Sequence, residues 1–137
     1  MGIVEKVLEK DRFCVETVGI ELLEVSPGRA KTKLQIEDRH LNGLGIIQGG
    51  AIFTLADFAL AAASNSHGTA AVMINANISC FKGLSRGTLF AEAAEESINF
   101  KLATYTVRIT NETDELIALM QATVYRKKET LESLIED

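Results

Sequence analysis

Between Arg39 and Lys82 the chain carries a single formally charged side chain, Asp57. It stands in the run Gly45-Ile-Ile-Gln-Gly-Gly-Ala-Ile-Phe-Thr-Leu-Ala-Asp57-Phe-Ala-Leu-Ala-Ala-Ala-Ser-Asn-Ser-His-Gly68, otherwise built from Ala, Ile, Leu, Phe and small residues. The spacing predicts one long helix that opens at Gly49 or Gly50 and ends at Gly68, a residue type suited to a C-terminal cap. A helix that is apolar nearly all round must be covered on most sides, and the simplest cover is a sheet curled around it. A carboxylate buried there without a partner is costly, so it is paired, neutralised or functional.

The flanking segments supply such a sheet. Residues 18–25 and 29–36 read as strands joined by Ser26-Pro27-Gly28, and the second alternates Arg29, Lys31, Lys33, Gln35 against Ala30, Thr32, Leu34, Ile36. Residues 37–48 form a Gly-rich loop. After the helix, 72–81, 88–96, 103–110 and 116–125 are rich in β-formers, the last two separated by a turn at 111–114. Residues 3–13 read as a short amphipathic helix. Strands grouped on either side of one helix imply an α+β fold with an antiparallel sheet of about five to six strands. The expected organisation is one domain over 1–137, with an N-terminal helix at 1–14 and a charged tail at 127–137 that frays or forms a last surface helix.

Charge and composition exclude several classes. The net charge is −5, Trp is absent and no basic stripe is interleaved with aromatics, so nucleic acid is not the expected partner. Residues 44–63 are long enough to suggest a membrane span, but they contain a glycine pair and an acid that costs about 2.5–3.5 kcal/mol at a helix centre. Cys14 and Cys80 lack metal-ligand or CxxC spacing, which points to reduced thiols and a cytoplasmic protein. His40 and His67 have no metal-ligand companions and read as structural or surface residues.

On the helix, Thr54, Asp57, Ala61, Ser64 and Asn65 share one small, polar stripe, while Ile52, Leu55, Ala56, Ala59, Leu60 and Ala63 face the sheet. Free N–H groups at the helix start favour developing negative charge, and Gly49 has no side chain to block a ligand oxygen. Gly49 and Asp57 are eight residues apart, about 12 Å along a helix. One helix therefore cannot aim both at one carbonyl, whereas two helices antiparallel across a twofold axis can. A working site then requires a homodimer.

His40-Leu-Asn42-Gly43-Leu-Gly45, then Gly49-Gly50, then Leu55-Ala56-Asp57 resembles the signature of hotdog-fold acyl-CoA thioesterases of the phenylacetate-degradation (PaaI-like) type. Asn75-Ala-Asn77-Ile78, Phe81-Lys82-Gly83 and Arg86-Gly87-Thr88-Leu89-Phe90-Ala91-Glu92-Ala93 are also similar to that family, so the likeness spans residues 15–127. It implies hydrolysis of an acyl-CoA thioester by dimers that pair into homotetramers, with no cofactor, since coenzyme A is part of the substrate. Matched position by position, Asp57 is the nucleophile or the base for water. Gly49 donates its N–H to the thioester oxygen, and Asn42 orients substrate or water.

The chain departs from the family pattern in having Gln48 where His often precedes the glycines, Met73 where Ser or Thr is common, and Gly83 in place of Pro. Gln48 keeps a donor that can hold a carbonyl and is taken with the catalytic set. Gly50, Thr54, Asn65, Met73, Lys82 and Arg86 are the expected substrate and CoA contacts. Two alternatives stand beside thioester hydrolysis. A hotdog hydratase or dehydratase would want a His near the helix start, and a non-catalytic acyl-CoA-binding module would have no use for Asp57.

Overall fold

The computed structural model describes residues 2–135. A short helix, α1 (Ile3–Leu8), and a π-helical turn (Phe13–Val18) lead into the hairpin β1 (Glu21–Ser26) and β2 (Arg29–Gln35). A 3-10 turn (Asp38–His40) precedes the long helix α2 (Gly49–Asn65). Four strands follow, β3 (Thr69–Cys80), β4 (Thr88–Ile98), β5 (Leu102–Thr110) and β6 (Leu116–Thr130), and then a 3-10 turn (Glu132–Leu134). All pairs are antiparallel, in the order β1-β2-β4-β5-β6-β3.

The sheet curls around α2, which touches all six strands. Ile52, Leu55, Ala56, Ala59, Leu60 and Ala63 are all buried, as the apolar pattern requires. The inward residues of the sheet meet them: Leu34 from β2, Leu89, Ala91 and Ala93 from β4, Val107 from β5, Met120 from β6. Many alanines on the helix let the sheet approach closely, and the larger Leu55 and Leu60 fill the space between; truncating either to Ala costs roughly 2–5 kcal/mol.

Four expectations are corrected. The N-terminal helix stops at Leu8 because Asp11 Oδ1 accepts the Cys14 N–H (3.0 Å) and starts a separate turn, which Gly19 ends at φ +86°. Val18 belongs to that turn, so β1 begins at Glu21. Helix α2 ends at Asn65, and Gly68 (φ +91°) serves the entry to β3 three residues later. Residues 126–130 are not tail: β3 begins at Thr69, earlier than its composition suggested, and Thr69 pairs with Thr130. Leu131, 1 % exposed, closes that end of the core. The remainder of the expected tail is the 3-10 turn, and its last two residues lie outside the described residues.

Candidate active site

The first turn of α2 is built from Gln48, the N-cap, whose extended backbone (φ −70°, ψ 134°) turns the chain into the helix. Its side-chain Oε1 accepts the Gly50 N–H. Its backbone carbonyl accepts from Ala51 (2.9 Å) and, at 3.4 Å, from Ile52. One amide of the first turn is left over. Gly49 N–H has no partner among the described residues, and a Cβ at Gly49 would meet nothing within 4 Å. A free N–H at a dipole-positive helix end is a place for an oxygen that gains negative charge. Capture of Gly50 by Gln48 leaves Gly49 as the donor and the amide Nε2 of Gln48 as a second one beside it.

Asn42 lies in the loop before α2. Its Oδ1 accepts from Leu44 N (2.8 Å) and Ile46 N (3.3 Å), closing a turn in which Gly45 sits at φ +78°. The acceptor is spent on the loop, so only Nδ2 can reach a ligand. Asn42 and Gly49 line one cleft of about 290 Å³ together with Ile46, Cys80, Phe81 and Lys82. A second cleft, about 530 Å³, lies on the neighbouring face, walled by Phe13, Val18, Leu41 and Phe53, with Gln48, Gly50 and Thr54 at its polar side.

Asp57 is two turns further along α2 and lines neither cleft. It occupies the one incompletely covered face of the helix, with Phe53, Thr54 and Ala61, all half-buried. Burial raises its pKa above the usual carboxylate value, and the nearby charge of Asp11 raises it further. Within one chain, then, Asn42 and Gly49 share one cleft, Gln48 lines the other, and Asp57 lines neither.

Other expected contacts are placed less favourably. Thr54 Oγ1 donates to Gly50 O (2.7 Å) within the helix, although the residue lines the larger cleft. Ser64 and Asn65 are buried and not part of an open stripe. Asn65 braces the start of β3, donating to Ala61 O (2.8 Å) and accepting from Ala71 N (3.0 Å). Met73 is 38 % exposed on the edge strand β3. Lys82 Nζ lies 2.9 Å from both carboxylate oxygens of Glu115, whereas Arg86 is exposed and enters no ion pair among the described residues.

His40 is structural. Its Nδ1 accepts the Glu37 N–H (2.9 Å), which leaves Nε2 to donate to Val18 O (2.7 Å), a neutral ring holding the loop to the N-terminal turn. His67 bonds Glu95 Oε1 (2.7 Å), which also accepts from the buried Tyr105 hydroxyl (2.8 Å). Partial burial alone would push the Glu95 carboxyl up, but the bonds from His67 and Tyr105 outweigh it and hold it below the usual range. A carboxylate with a depressed folded pKa contributes stability that is present above its unfolded value, about 4.3, and is lost as pH falls through the folded value. Glu95→Gln is expected to lower Tm by a few degrees at pH 7 and to flatten the loss of stability below about pH 4.3. Thermal denaturation from pH 7 to pH 3 measures both, and a variant whose acid limb matches the parent's would remove Glu95 from that role.

The long central helix wrapped by a six-stranded antiparallel sheet is a hotdog fold, with an anion-receptive helix start and a carboxylate on the open helix face. The thioesterase superfamily model matches residues 44–118. A protein from Archaeoglobus fulgidus whose name proposes an esterase is 39% identical over 127 residues, covering 92% of this chain and 82% of that one. The acyl-coenzyme A thioesterase PaaI of Escherichia coli is 31% identical over 114 residues, covering 82% of this chain and 81% of the relative. The solved structure of E. coli PaaI superposes with a TM-score of 0.88 at 29% identity, over 92% of this chain and 91% of that one. The chain belongs to the thioesterase superfamily, as a PaaI-like member with the hotdog fold, and is a thioester hydrolase.

Sequence reasoning missed how the N-terminal segment meets α2: Phe13 shares the larger cleft with Phe53 and Thr54 and Cys14 is buried, and nothing in the hydrophobic period of 3–13 marks that approach.

Proposed function

We propose that the protein hydrolyses an acyl-CoA thioester to the free acid and coenzyme A in a site shared by two subunits. The observation that carries this reading is the separation of its parts: an unpaired Gly49 N–H at the start of α2 and a half-buried Asp57 two turns away, both on surface that the chain's own sheet leaves open. In an antiparallel pairing of two α2 helices, the Gly49 N–H of one subunit polarises the carbonyl and Asp57 of the other attacks it, or takes the proton from the attacking water. Nε2 of Gln48 and Nδ2 of Asn42 are the donors left to hold the substrate beside it. Unpartnered edge residues of β3 favour such a pairing: Val72, Met73 and Ile74 are 44 %, 38 % and 57 % exposed. The same dimers are expected to pair into tetramers, which light scattering on the purified protein checks.

Coenzyme A as the leaving group is favoured by relatives. Beside the E. coli thioesterase, the 1,4-dihydroxy-2-naphthoyl-CoA hydrolase of Listeria monocytogenes is 30% identical over 118 residues, 82% of this chain and 94% of that one. A cytoplasmic setting agrees with that substrate and with two free cysteines. Among the described residues no helix is long and apolar enough to cross a membrane.

Lys82, which lines the Gly49 cleft, and the exposed Arg86 four residues on are assigned to the CoA phosphates, with Arg86 the readier of the two because Lys82 must leave Glu115. Replacing both with Ala is expected to raise KM for acyl-CoA roughly two- to thirtyfold with kcat nearly unchanged, since exposed ionic contacts contribute about 0.2–1 kcal/mol each. A short thioester lacking the nucleotide should be hydrolysed equally by variant and parent. An unchanged KM for acyl-CoA would move the nucleotide to the Arg126–Lys128 cluster. The reading as a whole is tested by thiol release over a panel of short, long and aromatic acyl-CoAs; binding without release, or a water-addition product, would overturn it.

A further inference from the structure

The start of α2 separates two clefts. Gly49 lines the smaller one, and the residues on either side of it, Gln48 and Gly50, line the larger. A thioester whose carbonyl is held at the Gly49 N–H has two arms to place, and each cleft offers room for one. The smaller cleft presents Lys82, a cation suited to the arm that carries phosphates. The larger, of about 530 Å³, is apolar along Phe13, Val18, Leu41 and Phe53 and falls within the size range of small-molecule sites. Arg39 is the only charged residue among those that line it.

The Arg39 charge is committed elsewhere. Its Nε donates to Glu37 Oε1 (2.8 Å), its Nη1 to Thr17 O (2.7 Å) and Glu16 O (3.4 Å), and its Nη2 to Val18 O (3.3 Å). These three carbonyls end the π-helical turn Phe13–Val18, where a helix leaves its last acceptors without partners. Gly19 leaves room for that approach, since a Cβ there would stand 2.6 Å from Arg39 Nη2. His40 adds its own bond to Val18 O (2.7 Å), and its carbonyl accepts the Gln48 N–H (2.8 Å). The turn that carries Phe13 is thus fastened to the same stretch of chain that sets Gln48 at the helix start. Phe13 itself is 59 % exposed, an aromatic ring that the core does not use.

We propose that the acyl group of the thioester lies in the larger cleft, that Phe13 sets the size of group admitted, and that Arg39 is the positioning residue that holds the Phe13 turn in place. The groups admitted are uncharged and apolar. A carboxylate at the far end of the acyl chain would lose water there and find no free cation in return, because the guanidinium is already paired with Glu37 and spread over three carbonyls.

The inference rests on the proposed hydrolysis, and the experiment separates the two. kcat/KM is measured over acyl-CoAs of rising chain length, with one ω-carboxylated member, in the parent, Phe13→Ala, Phe13→Trp, Arg39→Gln and Arg39→Lys. The ratio of long-chain to short-chain kcat/KM is expected to rise about tenfold in Phe13→Ala and to fall by a similar factor in Phe13→Trp, the low end of what one methylene changes in an apolar pocket. Opposite shifts cannot come from a general loss of stability, and an exposed ring is replaced without opening a cavity in the core. Arg39→Gln should move the ratio in the direction of Phe13→Ala, and Arg39→Lys, which keeps a cation to donate to Thr17 O, should recover part of the parental value. The parent should disfavour the ω-carboxylated substrate against the uncharged one of equal length. A parent that hydrolyses the series while both Phe13 variants keep its chain-length profile, or that prefers the carboxylated substrate, would overturn the inference and leave the proposed function standing. Shifts in the Phe13 variants with none in Arg39→Gln would remove Arg39 alone. A parent that releases thiol from no acyl-CoA would overturn the proposed function and the inference with it.

Discussion

Asp57→Asn is expected to lower thiol release from acyl-CoA roughly 100- to 10,000-fold, the range that loss of a positioned acid or base commonly costs. The amide fills the same volume on the half-buried face of α2, so fold and oligomeric state should persist. It can neither accept a proton nor form a bond to the thioester carbon at a useful rate. The substitution also removes a desolvated negative charge, and the variant should melt no lower than the parent. Thiol release in the purified variant, with a melting curve on the same sample, decides the point: most of the rate retained would take Asp57 out of the mechanism.

The second large effect is a rescue. A chain carrying Asp57→Asn and a chain carrying Gly49→Pro are each expected to be inactive, the latter because proline deletes the free N–H. Proline suits the first position of a helix, and the extended backbone of Gln48 is the conformation that a residue before proline prefers. In a heterodimer of the two, one site combines an intact Gly49 with an intact Asp57, and the other has neither. Purified heterodimers carrying two different tags should therefore regain about half of the parental rate, since one of two equivalent sites is whole. Heterodimers as inactive as their parents, with Gly49→Pro shown to fold, would mean that the two groups do not meet across subunits.

The parts of the fold legible from the sequence were those set by strong local patterns. The charge-free run around Asp57 marked α2, alternation marked β2, and Ser26-Pro27-Gly28 marked a hairpin that closes on Gly28 at φ +71°. The boundaries that moved were decided by partners distant in sequence. Composition at 126–130 is charged, yet pairing with the start of β3 keeps it in the sheet. Ser64 and Asn65 fall on the helical stripe of Asp57, but β3 returns over that end of α2 and buries them. At the site, Gly49 and Asp57 were separable by helix length alone. Gly49 was separated from Gly50 as the donor, but the capping of Gly50 by Gln48 was not legible, because it depends on where one side-chain oxygen points.

The way α2 is enclosed has a consequence for how such an enzyme can change. Ten of its residues, from Ile52 to Asn65, are buried against the sheet, and each is bounded by neighbours that tolerate little change in volume. Past its first turn, the helix residues left partly open form a narrow track of Phe53, Thr54, Asp57 and Ala61. The walls opposite that track are of another kind: the turn at Phe13–Val18 and the loop leading into α2 lie on the outside and form little of the sheet. With the proposed site, reactivity and selectivity would therefore be written on separable pieces of chain. A lineage can exchange the outer pieces, residue by residue, to admit a differently shaped acyl group while the helix beneath stays as it is.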